Sequence, residues 1–123
     1  MRILVVDDDI LNRTILVKLL GNLGYQAVAA ESGREALLLL AQSRFDLVLM
    51  DLQMPECDGY TTTEMIRSPE NRALQPDIPV IALTADSSIG IKERCLASGM
   101  NDYLTKPVKP EFLRSVISKY LTE

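Results

Sequence analysis

Residues 3–9 of the chain, Ile3-Leu4-Val5-Val6-Asp7-Asp8-Asp9, join a short apolar block directly to three consecutive aspartates. The block is apolar at every position, which is typical of a strand that helices cover on both faces of a parallel sheet. Four further short blocks of this kind follow, at Ala27–Ala30, Leu47–Met50, Val80–Leu83 and Tyr103–Leu104. The sequence therefore predicts five strands, and the first of them ends in a cluster of carboxylates.

Segments with a helical spacing of apolar residues follow each predicted strand. The second helix opens on a capping box, Ser32 to Glu35, the third is expected after Gly59, the fourth after Ser87 or Ser88, and the fifth at Pro110. The fifth is expected to bury Phe112, Leu113, Val116, Ile117 and Tyr120. Strict alternation predicts an α/β class fold, a flavodoxin-like doubly wound (βα)5 domain over residues 1–123 with a parallel sheet of order 2-1-3-4-5.

Composition excludes several classes of function. The formal charge is −4 with a pI near 4.8, and the basic residues are scattered, so direct binding of nucleic acid is not expected. The chain contains no histidine, which excludes a Cys/His zinc site and a Ser-His-Asp triad, and Cys57 and Cys95 are expected to be reduced thiols. The longest apolar run, Ala36–Ala41, is too short for membrane insertion, so we expect a soluble, cytoplasmic protein.

Polar side chains follow four of the five predicted strands: Asp7-Asp8-Asp9, Asp51, Thr84-Ala85 and Thr105-Lys106-Pro107. Each group alone is ordinary as a turn former or cap, but the carboxyl ends of parallel strands meet at one edge of the sheet. Carboxylates held together repel unless a cation lies between them, and hard oxygen ligands favour Mg²⁺. One aspartate then remains as a nucleophile for phosphorus, with a lysine and a hydroxyl to stabilise the spreading negative charge.

The residues that carry this chemistry stand in motifs that resemble those of a known family. The motifs are residues 3–9, Met50-Asp51-Leu52-Gln53-Met54-Pro55 with Asp58-Gly59, Ile81–Ala85 and Tyr103–Pro107, and they span most of the chain. The chain is similar to the receiver domain of response regulators in two-component phosphorelay systems. Within this family, the chain resembles most the receivers of hybrid sensor histidine kinases, at Asp9, at Asn12-Arg13 and along the run from Asp51 to Arg67. The chain could be a stand-alone regulator or a domain excised from a longer protein.

The resemblance implies a role for each motif residue. Asp51 would be the phosphoacceptor, Asp7 and Asp8 the acidic pair that holds Mg²⁺ with Asp51, and the main-chain carbonyl of Gln53 a further metal ligand. Thr84 and Lys106 would contact the phosphoryl group, Tyr103 would be the switch aromatic, and the Lys106–Pro107 bond would be cis. Cys57 departs from the family pattern, which usually has methionine before Asp-Gly.

The same resemblance implies a signalling protein that catalyses only its own phosphorylation and dephosphorylation. The implied phosphodonor is a phosphohistidine on a histidine kinase or histidine phosphotransfer protein, and helix 4, strand 5 and helix 5 would contact a downstream protein.

The alternatives are two other functions and an inactive interaction module. A haloacid-dehalogenase-type phosphatase needs a second aspartate two residues after the nucleophile, where this chain has Gln53. A flavodoxin-like FMN carrier needs a Ser/Thr/Gly-rich phosphate loop where Asp7, Asp8 and Asp9 stand. An inactive interaction module would be free to lose the site residues, which are all present.

Overall fold

The structure, a computed structural model, describes residues 1–54, 58–68, 70, 75–85 and 89–121, with the backbone alone at position 89. The predicted alternation of strands and helices is confirmed. The elements in chain order are β1 (Arg2–Val6), α1 (Ile10–Asn22), β2 (Gln26–Ala30), α2 (Gly33–Gln42), β3 (Leu47–Asp51), α3 (Gly59–Arg67), β4 (Val80–Thr84), α4 (Ile89–Ser98), β5 (Asp102–Thr105) and α5 (Pro110–Tyr120).

All strand pairs in the sheet are parallel, and the observed order β2-β1-β3-β4-β5 is the predicted one. Val6 of β1 pairs with Met50 of β3, so the residues that follow these strands emerge side by side. Since the order reverses between β1 and β3, the crevice expected for a ligand lies at the ends of these two strands.

The core lies on both faces of the sheet. One face packs against α1 and α5, with Leu16, Leu20, Leu113 and Ile117 fully or almost fully buried. The opposite face packs against α2, α3 and α4. Because helices cover both faces, β1, β3 and β4 are buried at nearly every position, as their continuous apolar sequences predicted.

Local signals in the sequence set several helix ends. Ser32 precedes α2 and its Oγ accepts a hydrogen bond of 3.1 Å from Glu35 N, as the capping box predicted. Gly24 and Gly99 follow α1 and α4 with φ of 93° and 103°, which favours glycine. The prediction for Phe112 was wrong: its side chain is 57% exposed, because α5 turns Leu113 and Ile117 toward the sheet instead.

The cysteines divide between described and undescribed parts of the chain. Cys95 is a free, buried thiol on α4, as expected. Cys57 and the Pro55 position of the family motif lie outside the described residues.

Candidate functional site

The aspartates that end β1 and β3 meet at the predicted edge of the sheet. Asp7, Asp8 and Asp51 each place a carboxylate oxygen so that all three oxygens lie within 4.8 Å of one another. Asp7 and Asp51 are buried, whereas Asp8 is exposed at the mouth of the crevice. Three carboxylates this close repel one another, so the cluster is a strong local concentration of negative charge.

Lys106 brings the opposite charge into this cluster from the far end of the sheet. Its Nζ lies 3.1 Å from Asp51 Oδ1 and 3.2 Å from Asp7 Oδ2. The backbone holds the lysine there, because Lys106 N donates to Thr84 O at 2.7 Å. The Lys106–Pro107 bond is cis, as expected. One ammonium therefore bridges the carboxylates of β1 and β3.

The electrostatics of the crevice are set mainly by burial. The pKa of Asp51 is raised to about 6: burial is the largest cause, the neighbouring Asp7 adds to it, and Lys106 opposes both. Burial works to lower the pKa of Lys106, but the carboxylates of Asp51 and Asp7 outweigh it and the pKa is raised. Lys106 thus stays an ammonium ion, while Asp51 changes its charge within reach of physiological pH.

The remaining predicted site residues fall into two groups. Gln53 and Thr84 line a crevice of about 230 Å³ together with the acidic cluster and Lys106, and Gln53 N donates to Asp51 Oδ1 at 3.3 Å. Tyr103 does not line this crevice: it lies on β5 opposite Ala82 of β4 and packs, half-buried, against the core on the α4 side. The fold therefore brings together every predicted site residue except Tyr103.

The crevice has the chemistry of a site for a hard divalent cation. Its candidate ligands are carboxylate oxygens, and the buried Oδ2 of Asp7 faces the Lys106 ammonium at 3.2 Å without the geometry of a hydrogen bond. Lys106 supplies one positive charge against three carboxylates, so a divalent cation would offset the negative charge that remains. Oxygen ligands on a partly open crevice suit Mg²⁺, which keeps several waters. The residues present therefore fit Mg²⁺.

Asp9, the third consecutive aspartate, caps α1 and does not belong to the cluster of Asp7, Asp8 and Asp51. Asp9 is the N-cap of α1, and its Oδ1 accepts a hydrogen bond of 2.9 Å from Leu11 N. Its own N–H donates to Asp7 Oδ1 at 3.0 Å. Asp9 therefore orients the carboxylate of Asp7 and fixes the start of α1.

The sequence did not predict the contacts of two residues near the site, Arg13 and Gly59. Arg13 Nη1 donates to Asp7 O at 2.8 Å, and Gly59 packs so tightly that an added Cβ would overlap Asp51 O. The signal for Arg13 was its place on α1 six residues after Asp7, which is within reach of a long side chain but does not identify the partner atom.

Comparison with known proteins shows the class to which this fold and site belong. The family model of the response regulator receiver domain matches residues 3–118. The chain belongs to this family and is a receiver domain of two-component phosphorelay systems. Neither the phosphatase nor the FMN-carrier alternative finds support.

Individual relatives place the chain more closely within the family. Sensor protein GacS of Pseudomonas syringae pv. syringae is 44% identical over 119 residues, which cover 97% of this chain and 13% of GacS. The receiver domain of sensor histidine kinase PA1611 from Pseudomonas aeruginosa PAO1 is 39% identical to this chain, with a TM-score of 0.86 over 97% of this chain and 95% of that chain. That structure was solved with magnesium in its active-site cleft. The predicted resemblance to receivers of sensor kinases is confirmed.

A third relative was solved with a partner. The receiver domain of Ssk1 from Saccharomyces cerevisiae, in a co-crystal structure with the histidine phosphotransfer protein Ypd1, is 32% identical with a TM-score of 0.89, covering 98% of this chain and 88% of that chain.

In the described part of our chain, none of the helices combines the length and apolar character that crossing a membrane requires.

Proposed function

We propose that this chain is a single receiver domain over residues 1–123 that accepts a phosphoryl group on Asp51 in a Mg²⁺-dependent reaction. The observation that carries the proposal is the convergence of Asp51, Asp7, Asp8 and Lys106 in one crevice. Asp51 is the carboxylate at the centre of the sheet edge, and as an anion it needs no general base to attack phosphorus.

In the proposed reaction, a carboxylate oxygen of Asp51 forms a bond to the phosphorus of a partner phosphohistidine. The bond from phosphorus to the imidazole nitrogen breaks, and the nitrogen leaves with the electron pair. Lys106 contacts the phosphoryl oxygens with its ammonium, and Thr84 contacts them with its hydroxyl. These groups stabilise negative charge that spreads over the oxygens in the transition state.

The residues proposed to hold the metal are Asp7, Asp8, Asp51 and the main-chain carbonyl of Gln53. When bound, Mg²⁺ neutralises charge on the carboxylates and on the phosphoryl oxygens. The burial of Asp7 and the closeness of the three carboxylates, which one lysine does not neutralise, support this assignment. So does the magnesium in the cleft of the PA1611 receiver.

The proposed partners follow from the same chemistry. The phosphodonor is a histidine kinase or a histidine phosphotransfer protein in the cytoplasm, which the complex of Ypd1 with the Ssk1 receiver supports. The surface formed by α4, β5 and α5 contacts a downstream protein. The chain acts as a switch that catalyses only its own phosphorylation and dephosphorylation.

The test is incubation with Mg²⁺ and acetyl phosphate, followed by intact-mass measurement. We expect a gain of one phosphoryl group per chain, no gain with a chelator, and no gain in Asp51→Asn. Asp58→Asn is the matched control, since asparagine can replace this N-cap aspartate and accept the hydrogen bond from Thr61 N. An Asp51→Asn protein that gains the same mass at the parent's rate would contradict the assignment.

A further inference from the structure

The peptide group between Asp7 and Asp8 is held by a side chain of α1. Nη1 of Arg13 donates to Asp7 O at 2.8 Å, and this carbonyl belongs to the peptide that joins the two aspartates. A peptide is planar and its oxygen lies in one plane with the Cα atoms of both aspartates, so a hydrogen bond to this oxygen restrains the peptide from which both side chains extend. Arg13 is therefore coupled to the relative orientation of the two carboxylates.

The sheet does not supply this constraint, because the strand has already ended. β1 ends at Val6, and the last backbone bond that ties Asp7 to the sheet runs from Asp7 N to Ala30 O at 3.1 Å. Asp7 is completely buried, so its carbonyl needs a donor from the protein. The half-buried guanidinium of Arg13 provides one.

The loop between β1 and α1 is bound to the first turns of α1 at successive points. Asp9 N donates to Asp7 Oδ1 at 3.0 Å, Asp9 Oδ1 accepts from Leu11 N at 2.9 Å, and Arg13 N donates to Asp9 O at 3.0 Å. The contact from Arg13 to Asp7 O joins the far end of this network to the peptide that carries both carboxylates. Among the described residues, this is the hydrogen bond that holds the carbonyl of that peptide.

We propose that Arg13 is a positioning residue for the divalent cation: it holds the Asp7–Asp8 peptide so that both carboxylates face one ion. This inference rests on the proposed function, because it assumes that the acidic cluster binds Mg²⁺. Residues that orient metal ligands by hydrogen bonds typically contribute 10- to 100-fold to metal affinity. We expect Arg13 to act in this range.

Electrostatic attraction alone predicts the opposite change in Mg²⁺ affinity when Arg13 is replaced. The Arg13 guanidinium is a positive charge close to the acidic cluster, so removing it would strengthen the attraction of the cluster for a cation. A loss of affinity on removal therefore identifies positioning, whereas a gain identifies electrostatics.

The experiment is calorimetric titration of Mg²⁺ into the parent chain and three variants. Arg13→Met removes the donor and the charge but keeps a long apolar stem, and we expect it to weaken Mg²⁺ affinity by roughly 10- to 100-fold. Arg13→Lys keeps a charged donor and should recover most of that loss. Lys18→Met removes a charge from an exposed position of the same helix and should bind Mg²⁺ within about twofold of the parent.

A second readout separates positioning from a general loss of structure. Thermal unfolding without metal reports whether each variant is folded, and Arg13→Ala, favourable in a helix, replaces Arg13→Met if the latter does not fold. At saturating Mg²⁺, the rate of phosphorylation by acetyl phosphate should return to within about twofold of the parent, because the defect lies in metal affinity.

The outcomes distinguish this inference from the proposed function. If the parent binds Mg²⁺ and Arg13→Met binds it equally or more tightly, the positioning role is wrong and the proposed function stands. If the parent binds no Mg²⁺ and gains no phosphoryl group, both are wrong.

Discussion

At the scale of single residues, Asp51 links the proposed chemistry to stability. Burial first, and Asp7 second, raise its pKa from 3.8 to about 6. A carboxyl whose pKa is raised in the folded state favours folding while it is protonated, so its stabilising contribution is complete below about 3.8. That contribution is lost as the pH rises through about 6. The ionised carboxylate of Asp51 therefore destabilises the fold at neutral pH.

Asp51→Asn should remove this cost. Without metal at neutral pH, we expect its free energy of unfolding to exceed the parent's by on the order of 1 to 3 kcal/mol. The difference should shrink as the pH falls through about 6 and disappear below about 3.8, where the parent carboxyl is protonated in both states. Urea unfolding of both proteins across this pH range measures it, and a difference independent of pH would contradict the ionisation argument.

At the scale of elements, α3 is packed directly against the end of β3. Asp58 caps the helix through its hydrogen bond from Thr61 N, and Gly59 N donates to Leu52 O at 3.3 Å. A Cβ at position 59 would overlap Asp51 O and lie 3.0 Å from Met50 Cγ. Because the nearest obstacle is backbone, a side chain here must displace α3 or the strand that carries Asp51.

Gly59→Ala should therefore destabilise the fold, by about 1 to 3 kcal/mol, and slow phosphoryl acceptance. Gly21→Ala on α1 is the matched control: an added Cβ meets nothing within 4 Å, and alanine favours a helix by up to about 1 kcal/mol. Urea unfolding and intact-mass kinetics of the two variants compare them. A Gly59→Ala protein as stable as Gly21→Ala would show that α3 adjusts without strain.

The elements also show how far the sequence could predict this molecule. Strands and their order were predictable, because buried parallel strands are continuously apolar and their ends carried the polar site residues. Contacts between distant segments were not predictable. The Arg67 guanidinium donates to Gly99 O and to Asn101 Oδ1, each at 2.8 Å, more than thirty residues away. Helical spacing likewise could not decide whether α5 buries Phe112. Phe112 and Leu113 are adjacent, so they lie on different faces of the helix, and the sequence does not show which of these faces packs against the sheet.

At the scale of the whole molecule, the crevice and Tyr103 are connected through the sheet. Tyr103 pairs with Ala82, and Thr84 follows Ala82 by two residues, so Thr84 and Tyr103 lie on the same face of the sheet, the face that packs against α4. A phosphoryl group on Asp51 adds strong acceptor oxygens, which attract the Thr84 hydroxyl. We expect movement of Thr84 toward Asp51 to leave space on the face of the sheet where the half-buried Tyr103 lies.

We predict that Tyr103 rotates into this space and changes the surface formed by α4, β5 and α5. Burying most of an aromatic ring contributes about 1.5 to 3 kcal/mol, which is enough to shift two conformers by roughly tenfold or more. Beryllofluoride with Mg²⁺ mimics the phosphoryl group, so amide NMR shifts should extend from Asp51 to Tyr103 and α4. In Thr84→Val, which keeps the shape and removes the hydroxyl, the shifts should stay near Asp51. If the amide shifts of the parent protein are also confined to the loops around Asp51, Tyr103 does not respond to the phosphoryl group through Thr84.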